Sequence, residues 1–539
     1  MSMNLTLNRM FFILLCTFIC FSCNKNEILN STPSPVIKVE DNEKNIVYSS
    51  EYKYNLNVIY FVPNDVTPNA GYEERLSKIM IEGQNFFAKW MNHWGFGNKT
   101  FGLMKNTSNT RIKIHTIKGP ESAAAYADDA PIKALVDDYF IKNPQEKSSD
   151  HYLILTATNK KLDQGEEFGH AVPFYGTGRY CYAVEYPGMS QDNLGKSGSV
   201  GEKATIYIGG LLHEMGHGIN LPHNGPSVSK KNDPNFGMTL MGSGNYTYGK
   251  SPTYLSFFDA ATLNNCQVFS KEVKSFYTGA TNKITKINAK YENGEIIING
   301  SYTVSNPVKH ITFRNILDTD GAGYTSITFT QAASEDGTFS VKMPISEFVA
   351  KKNPTTGGDL GYGLEIFFHH ENGNSSTMTY SYNFVNEVPV IDFGDRELLD
   401  RIGWEIIGFS NQQNSGYYAA KNVLDGNPNT YWHTSWDNPM NHPHFITIKT
   451  GNTPVTAKGV SINTRHDNSG NGGKIRDFKV EISNDGITWL TAHEGRMAMN
   501  GVQYFTFSLP KTFLYFKIVS LNDYENKFHA TLSEVNLYN

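Results

Sequence analysis

Three histidines and one glutamate lie close together in the chain, at spacings that suit a metal site. The segment G-G-L-L-H-E-M-G-H-G-I-N-L-P-H supplies His213, Glu214, His217 and His223. On a helix, residues four apart share one face, so His213 and His217 present both imidazoles to one point with Glu214 beside them. A catalytic zinc ion takes three protein ligands and leaves a fourth position for water, which a neighbouring carboxylate deprotonates. The motif therefore predicts a zinc-dependent hydrolase, and peptide-bond hydrolysis is the reaction that suits it best.

The third metal ligand must come from outside the helical pair, and His223 is the best candidate. No glutamate occurs between Glu214 and Glu272, which argues against a glutamate ligand on a later helix. For His223 to reach the same metal, the helix must end and the chain must reverse near Asn220. We expect a positive φ there, because Asn is the non-Gly residue that most readily adopts the left-handed conformation.

The motif resembles that of the metzincin metalloproteases, whose pattern is H-E-x-x-H-x-x-G-x-x-H. Here Asn220 stands where the family has a glycine. The family also has a methionine-bearing turn beneath the metal, and in N-F-G-M-T-L-M-G-S-G-N-Y the better match is Met241. A methionine at this position is otherwise ordinary core filling. The resemblance implies that the three histidines hold zinc and that Glu214 is the general base.

Four further polar side chains are weaker candidates for places in the same site. Asp233 and Asp259 are alternatives for the third ligand. Tyr246 and Tyr248 follow the methionine segment, and a tyrosine hydroxyl there would donate a hydrogen bond to a developing oxyanion. A structural role explains each tyrosine as well.

The N-terminal residues 1–23 predict an exported lipoprotein. Arg9 precedes an apolar run over residues 10–21, which is too short for a permanent membrane span and suits a signal peptide. The run ends F-S-C and resembles the lipobox of bacterial lipoproteins, with Cys23 as the lipid acceptor and a loose pattern similar to that of Bacteroidetes. The resemblance implies an outer-membrane lipoprotein exposed at the cell surface, and a simple secretory signal is the alternative. The polar residues 24–49 that follow predict a flexible tether.

Composition limits the class of protein. The 539 residues have a net charge of -5, from 47 basic and 52 acidic side chains, which leaves no basic footprint for nucleic acid. A chain of this length holds about three domains. Aromatic residues make up 13%, including 30 Tyr, which favours extracellular β-rich modules. After the first 23 residues only Cys181 and Cys266 remain, and they form one disulfide or stay as buried free thiols.

The elements that must hold the zinc motif lie in residues 50–272, which we predict to be an α/β domain. N-L-N-V-I-Y-F-V, R-I-K-I-H-T-I and H-Y-L-I-L-T-A predict strands, whereas P-I-K-A-L-V-D-D-Y-F and L-S-F-F-D-A-A-T-L-N predict helices. A twisted sheet with helices ahead of the zinc helix resembles the N-terminal half of a metzincin domain. The segment G-T-G-R-Y-C-Y-A-V-E-Y is either an edge strand, to which an extended peptide adds, or an internal strand. One face of the first helix is marked by Leu76, Ile79, Met80, Phe87, Trp90 and Met91.

Residues 275–392 contain short runs of alternating polar and apolar residues between turn signals. This pattern predicts an antiparallel β-sandwich of immunoglobulin-like kind. His369 and His370 are adjacent, so alternation sends them to opposite faces and they do not form a metal pair. We find no catalytic constellation in this segment and interpret it as a rigid spacer.

Residues 398–539 resemble a discoidin, or factor 5/8 type C, domain, which is akin to a family of carbohydrate-binding modules. The resemblance rests on A-A-K-N-V-L-D-G-N-P-N-T-Y-W-H-T, I-N-T-R-H, F-K-V-E-I-S-N-D-G-I-T-W and L-S-E-V-N-L-Y. It implies a β-sandwich that presents loops at one end. Trp432 and Trp489 are expected in its core.

The same resemblance implies two ligand sites in the C-terminal domain. A structural calcium ion would fall on Asp425, Thr430 and Glu534, whose oxygen atoms suit that ion. A bound glycan would contact loop residues, for which the candidates are His433, Arg465 and Asn471.

Taken together, these features predict a multidomain protein with an α/β metzincin-like catalytic domain, an immunoglobulin-like β-sandwich and a discoidin-like β-sandwich. The function they favour is a cell-surface zinc endopeptidase that cleaves extracellular glycoproteins. One alternative is a glycan-binding adhesin whose metal site is vestigial, although an intact Glu214 favours the enzyme. A second alternative is a zinc amidase that acts on non-peptide bonds.

Overall fold

The computed structural model of the chain describes residues 37–38 and 46–539, except 392, 394–395, 466–471 and 500. The predicted lipid acceptor Cys23 and the predicted glycan contact Asn471 lie outside the described residues. Within the described residues, no helix combines the length and the apolar character that a membrane span needs.

The first domain is built on one six-stranded sheet with helices on both faces. Its helices are α1 Tyr72–His93, α2 Asp129–Lys142, α3 Gly198–Gly218, α4 Val228–Asn232 and α5 Phe257–Asn265. Its strands are β1 Ile37–Lys38, β2 Tyr48–Ser49, β3 Asn57–Val62, β4 Lys105–Asn106, β5 His115–Lys118, β6 Tyr152–Ala157, β7 Tyr175–Thr177, β8 Tyr180–Glu185, β9 Met238–Thr239 and β10 Thr253–Tyr254. The sheet order is β1-β5-β3-β6-β8-β7, in which the four central strands run parallel and the two edge strands run antiparallel.

The central strands are buried on both faces, as parallel strands flanked by helices must be. Every residue of β3 and of β6 is buried. Alternate residues of β6 divide between two cores: Leu153 and Leu155 pack with α1 and α3, while Ile154 packs with α2. The predicted apolar face of α1 is confirmed, because all of its marked residues are buried.

The structure decides three expectations for this domain. Parts of the expected tether are paired, because β1 and β2 form hydrogen-bonded pairs with β5 and β4, so ordered structure begins before residue 50. The segment predicted as either an edge or an internal strand contains both: β7 is the edge strand and β8 is internal. Cys181 and Cys266 are buried free thiols, which settles the alternative left open by the sequence.

The middle domain is a sandwich of two antiparallel sheets around one core. Its strands are β11 Asn282–Glu292, β12 Glu295–Val304, β13 Val308–Leu317, β14 Ile327–Ala332, β15 Thr338–Pro344, β16 Leu360–His370, β17 Ser375–Val385 and β18 Val388–Val390. One sheet has the order β11-β12-β15, and the other contains β14-β13-β16-β17 with β18 beside β17. The alternating runs E-I-I-I-N-G-S-Y-T-V, H-I-T-F-R-N, T-S-I-T-F-T, G-T-F-S-V-K-M and L-E-I-F-F-H-H fall on the strands β12 to β16, whereas no such run marked β11, β17 or β18.

The C-terminal domain is a second β-sandwich with its own core. Its strands are β19 Glu405–Phe409, β20 Trp432–His433, β21 His444–Lys449, β22 Val455–Asn463, β23 Asp477–Ser483, β24 Leu490–Arg496, β25 Val502–Phe513, β26 Tyr515–Ser520, β27 Thr531–Leu532 and β28 Glu534–Tyr538. Trp432 is 1% exposed, which confirms its predicted core position. The prediction for Trp489 was wrong: it is half-buried in the turn before β24, where the Lys517 ammonium lies 3.8 Å from the centre of its ring.

The middle and C-terminal domains share a sheet. Tyr380 of β17 pairs in parallel with Val502 of β25, so the sheet of the middle domain continues into β22 and β28. The guanidinium of Arg396 lies 5.2 Å from the ring of Tyr504 and 4.9 Å from the ring of Tyr538, beside this junction. The two sandwiches therefore meet through backbone pairing as well as side-chain packing.

Candidate active site

Helix α3 carries the motif and ends where the chain must turn back. It ends at Gly218, and Asn220 follows with a left-handed φ of 76°. The N–H of Leu221 donates to the carbonyl of Gly216 at 2.9 Å and closes the turn. The expected positive φ at Asn220 is therefore confirmed.

The turn brings the three predicted ligands together. Nε2 of His223 lies 2.9 Å from Nε2 of His217 and 3.3 Å from Nε2 of His213. The potential ligand atoms all lie within 4.8 Å of one another. Among the described residues, no other group of histidine, cysteine and acidic side chains meets this geometry.

Backbone carbonyls fix the tautomer of each ring. The acceptors are Leu240 for His213, Leu221 for His217 and Ala322 for His223, at 2.7, 2.7 and 2.8 Å from Nδ1. Because each Nδ1–H donates to a carbonyl, each Nε2 holds a lone pair that faces the other two. Three unprotonated nitrogens so close repel one another unless a cation lies between them, and imidazole nitrogens are preferred ligands of zinc. The donor set therefore fits a zinc ion.

Burial also keeps these rings uncharged. It lowers the pKa of His213 to about 4 and that of His223 to about 3, and the pKa of His217 is lowered for the same reason. Neighbouring histidines add to the shift at His213 and His223, because two positive charges that close repel. The neutral imidazole, which binds metals, is thus the form present near neutral pH.

Glu214 extends from α3 to the edge strand β7. Its Oε2 accepts the N–H of Gly176, in β7, at 2.9 Å. Burial raises the pKa of Glu214 to about 8, and the hydrogen bond from Gly176 opposes that shift. A side chain at position 176 would clash with Cβ of His217, so the glycine lets β7 run directly along the helix. A carboxylate in this position, beside a divalent cation, can accept a proton from water.

Met241 packs under the ligands. Its side chain is fully buried, and its sulfur occupies the space that a Cβ at Gly216 would need. The preceding residue, Leu240, supplies the carbonyl that orients His213. The methionine therefore belongs to a turn that contacts the zinc helix between its two ligands.

The middle domain completes the site, so the prediction of a spacer without site residues was wrong. Ala322 supplies the carbonyl that orients His223. The ring of Tyr324 stacks on the imidazole of His223, with the ring centres 3.8 Å apart. Arg314 donates from Nε to the carbonyl oxygen of His223 at 3.1 Å and pairs through Nη1 with Glu365 at 2.8 Å. No motif in the sequence pointed to these residues, because they lie about a hundred positions from the ligand that they contact.

Among the residues with which the middle domain completes the site, Tyr324 is the one that carries a hydroxyl group. Its side chain is 40% exposed. Burial raises the pKa of its hydroxyl to about 12, and the negative charge of Glu214 adds to the shift. The hydroxyl therefore remains protonated near neutral pH and is available as a hydrogen-bond donor.

The weaker candidates lie outside the ligand cluster. Asp259 forms a capping box with Ser256 at the start of α5 and accepts from Asn224 at 2.7 Å, so its carboxylate is already committed. Asp233 accepts the N–H of Asn235 at 2.9 Å in a turn after α4. Neither aspartate reaches the three histidines. Among the tyrosines, Tyr248 is 5% exposed in the core, whereas Tyr246 is 54% exposed.

The predicted calcium residues come together in the C-terminal domain. Thr430 donates to Oδ2 of Asp425 at 2.6 Å, and the nearby Glu534 has a buried Oε1 that accepts no hydrogen bond. Burial raises the pKa of Glu534 to about 7; Arg401 opposes this shift and Asp425 adds to it. Arg401 pairs with Oε2 of Glu534 at 2.5 Å. The oxygen donors suit calcium, but Arg401 already supplies part of the compensating charge.

The glycan prediction needs correction. His433 is 8% exposed and Arg465 is 3% exposed. His433 is buried because it lies on β20, which pairs with β27, and not on an open loop. Two exposed aromatic side chains lie at this end: Trp436, at 45% exposure, has its ring centre 5.0 Å from that of His433, and Tyr417, at 53% exposure, has its ring centre 6.1 Å from that of Tyr431. The guanidinium of Arg465 lies 5.5 Å from the ring centre of Tyr431.

Comparison with known proteins identifies two parts of the chain. Residues 407–535 match the F5/8 type C domain family, which confirms the predicted C-terminal domain. The structure of wild-type OgpA from Akkermansia muciniphila is 30% identical, with a TM-score of 0.57, and the match covers 63% of this chain and 96% of that one. Catalytically inactive OgpA in complex with an O-glycopeptide substrate, glycodrosocin, is also 30% identical at a TM-score of 0.57, covering 65% of this chain and 98% of that one.

A curated relative matches over a much shorter length. A sialidase of Micromonospora viridifaciens is 40% identical over 72 residues. The match covers 13% of this chain and 11% of the sialidase, so this chain spans about a tenth of that relative.

Proposed function

The chain belongs to the same family as OgpA of Akkermansia muciniphila, and from this premise we propose that it is a zinc-dependent endopeptidase that cleaves O-glycosylated proteins. The observation that carries the proposal is the convergence of three neutral histidines with Glu214 beside them. The substrate class comes from OgpA, whose substrate is an O-glycopeptide. The order of ligands and base along the chain and the underlying Met241 agree with a metzincin.

The chain's own residues supply the acid and base steps. A zinc ion held by the three histidines would polarise the scissile carbonyl, and it would lower the pKa of its bound water toward neutrality. Glu214 then takes a proton from the attacking water and delivers it to the departing amide nitrogen. The Gly176 N–H holds Oε2 of Glu214 in place, so the carboxylate is oriented before the substrate arrives.

The middle domain supplies a hydrogen-bond donor, Tyr324, beside the three histidines. Tyr324 stacks on His223, and its hydroxyl is protonated near neutral pH. We assign it to the negative charge that develops on the carbonyl oxygen during attack, since a donor aimed at that oxygen stabilises the transition state more than the substrate.

The edge strand β7 is the place for the peptide. It is the last strand of its sheet, and its central residue, Gly176, bonds to the catalytic carboxylate. An extended peptide that adds beside β7 would use main-chain hydrogen bonds, which are independent of its side chains. Specificity would then come from other contacts, and the glycan is one of them.

The C-terminal domain has a separate role in this proposal. It belongs to the F5/8 type C family, and we assign it to glycan binding through Trp436, with calcium at Asp425, Thr430 and Glu534 as structural support. Cys23 would anchor the whole protein to the outer membrane at the cell surface.

The test uses the full chain and one peptide in two forms. Glycodrosocin and the same peptide without its glycan are incubated with the protein, with a chelator, and with a chelator followed by zinc, and the products are read by mass spectrometry. We expect cleavage of the glycosylated form at a peptide bond, its loss with the chelator and its return with zinc. Cleavage that resists removal of metal would refute the zinc mechanism.

The same experiment separates the alternatives. Glycopeptide binding without any cleavage would indicate an adhesin with a vestigial metal site. Cleavage at a bond other than a peptide bond would indicate an amidase of a different class. Equal cleavage of both peptide forms would support a peptidase and remove glycosylated protein as the substrate class.

A further inference from the structure

A tyrosine in the linker between the first two domains contacts the turn that leads from α3 to His223. Tyr277 lies between α5 and β11, and its hydroxyl is close to nitrogen atoms of three residues of the first domain. It lies 2.6 Å from Nε2 of His151, 3.0 Å from the N–H of Gln267 and 3.3 Å from Nδ2 of Asn220. These bonds join the linker to segments that are far apart in the sequence.

The hydrogen-bond roles in this cluster are determined by the donors. Nδ1 of His151 lies 2.7 Å from the carbonyl oxygen of Gly218 and donates to it, so Nε2 of the neutral ring is the acceptor. The Tyr277 hydroxyl donates to that nitrogen and accepts from Gln267 and Asn220. Sγ of Cys266 also lies 3.6 Å from this hydroxyl, so four groups of the first domain surround it.

Through His151 and Asn220, this cluster contacts the segment that leads to His223. Gly218 is the last residue of α3, and Asn220 is the left-handed residue at which the chain turns back toward His223. The bonds from His151 and Asn220 therefore hold the end of the zinc helix and the turn against the same hydroxyl. Displacement of this turn would move His223 relative to His213 and His217, which are fixed on the helix.

The middle domain holds the other side of Tyr277. The N–H of Tyr277 donates to the carbonyl of Asn372 at 2.8 Å, and Nδ2 of Asn372 donates to the carbonyl of Thr278 at 2.8 Å. A Cβ at Gly373 would lie 2.7 Å from Cε1 of Tyr277, so the turn after β16 fits closely against the ring. Tyr277 has a φ of 56°, a costly conformation for an aromatic residue that persists only when its surroundings hold it.

We infer that Tyr277 is a positioning residue: its hydroxyl fixes the turn at Asn220 and so places the third metal ligand, and the middle domain holds it there. This inference rests on the proposed metal-dependent function. It assigns to the linker a role that goes beyond joining two domains.

The test replaces Tyr277 by phenylalanine in the full chain, loads the metal-free protein with cobalt(II) and records the visible absorption of the bound ion. Tyr277→Phe keeps the ring and removes only the hydroxyl. We expect altered cobalt bands and a dissociation constant for cobalt about tenfold or more above that of the unchanged protein, as when outer partners of a metal ligand are lost. The affinity is measured by competition with a chelator.

A matched control separates positioning from general stability. Tyr126 is also a tyrosine of the first domain whose hydroxyl accepts a backbone N–H, that of Glu121, at 3.0 Å, and it packs with α2 on the far face of the sheet. Tyr126→Phe should leave the cobalt bands and the cobalt affinity unchanged. If both variants melt at similar temperatures in the metal-free form and only Tyr277→Phe changes the bands, the positioning role is supported.

A second variant tests the path through the turn. Asn220→Gly keeps the left-handed backbone but removes the amide that donates to Tyr277. If that bond carries part of the effect, the double variant will lose less cobalt affinity than the sum of the two single losses.

Two results would overturn the inference in distinguishable ways. Normal cobalt binding with identical bands in Tyr277→Phe would remove the role of Tyr277 and leave the proposed function intact. Absence of cobalt binding by the unchanged chain would overturn the metal-dependent function and this inference together.

Discussion

Replacing Arg314 by methionine tests how far the middle domain maintains the metal centre. Arg314 makes two separable contacts: a hydrogen bond from Nε to the carbonyl of His223 and an ion pair with Glu365. Arg314→Met introduces an apolar side chain of similar length and removes both contacts. The first contact is expected to affect the third ligand, and the second is expected to affect the stability of the middle domain.

The two effects differ in size. The side chain of Arg314 is 9% exposed, and that of Glu365 is 25% exposed. Removal of one partner from a buried pair costs about 3–5 kcal/mol, and the partial exposure of Glu365 reduces this to about 2 kcal/mol of unfolding free energy. Loss of a hydrogen bond outside the ligand shell weakens metal binding by about tenfold.

A double variant separates the two effects. Arg314→Met combined with Glu365→Leu removes the unpaired carboxylate, so stability should return toward that of the unchanged chain while the metal affinity stays low. Unfolding of the metal-free protein by urea measures the first quantity, and chelator competition with zinc measures the second. Zinc affinity that is unchanged in the single variant, or fully restored in the double variant, would refute the coupling of Arg314 to His223.

Three further predictions concern other parts of the chain. Glu214→Gln should retain zinc, measured by elemental analysis, and lose at least about a hundredfold in kcat, because the general base is gone; full activity would exclude that role. Trp436→Ala should weaken glycan binding in calorimetry and leave cleavage of a short glycopeptide unchanged. Asp259 has a pKa raised by burial to about 7, so its folded form holds a proton more tightly than the unfolded chain and stability falls as pH rises from about 4 to 7. Asp259→Asn should flatten this fall in thermal melts, and an unchanged slope would contradict it.

The sequence predicted the convergence of the three histidines because the geometry is local. His213 and His217 are placed by helical periodicity alone, and His223 follows after one turn at Asn220. The chemical preference of Asn for a left-handed conformation was sufficient to predict that turn, and the structure has it. The buried face of α1 was predictable for the same reason, since its period reflects a single helix.

The contacts across domains were not predictable, because nothing local encodes them. Ala322 orients a histidine that lies 99 positions earlier, and Tyr277 meets His151 across 126 positions. Every residue has a backbone carbonyl, so the sequence does not indicate which carbonyl will orient a histidine. A single tyrosine in a linker likewise forms no pattern from which its contacts could be predicted. Such contacts depend on how two separately folded units dock.

In the C-terminal domain, the resemblance to a family predicted the fold but not which side chains are exposed. Its family was correctly predicted from the sequence, but His433 and Arg465 proved to be buried. The short pairing of β20 with β27 draws His433 into the structure, and this pairing joins segments about a hundred residues apart. The exposed Trp436 lies only three positions after His433, yet the motif gave no means to prefer it.

The backbone pairing of β17 with β25 has a consequence for how long, multiply glycosylated chains are handled. With a flexible linker between the domains, a substrate bound through its glycan could bring many peptide bonds to the catalytic cleft. Their local concentration there would depend on the length of the linker. The backbone pairing of Tyr380 with Val502 instead restricts the distance between a glycan bound by the C-terminal domain and the catalytic cleft. For the proposed peptidase, the fragments from a densely glycosylated protein should therefore reflect the spacing of its glycans.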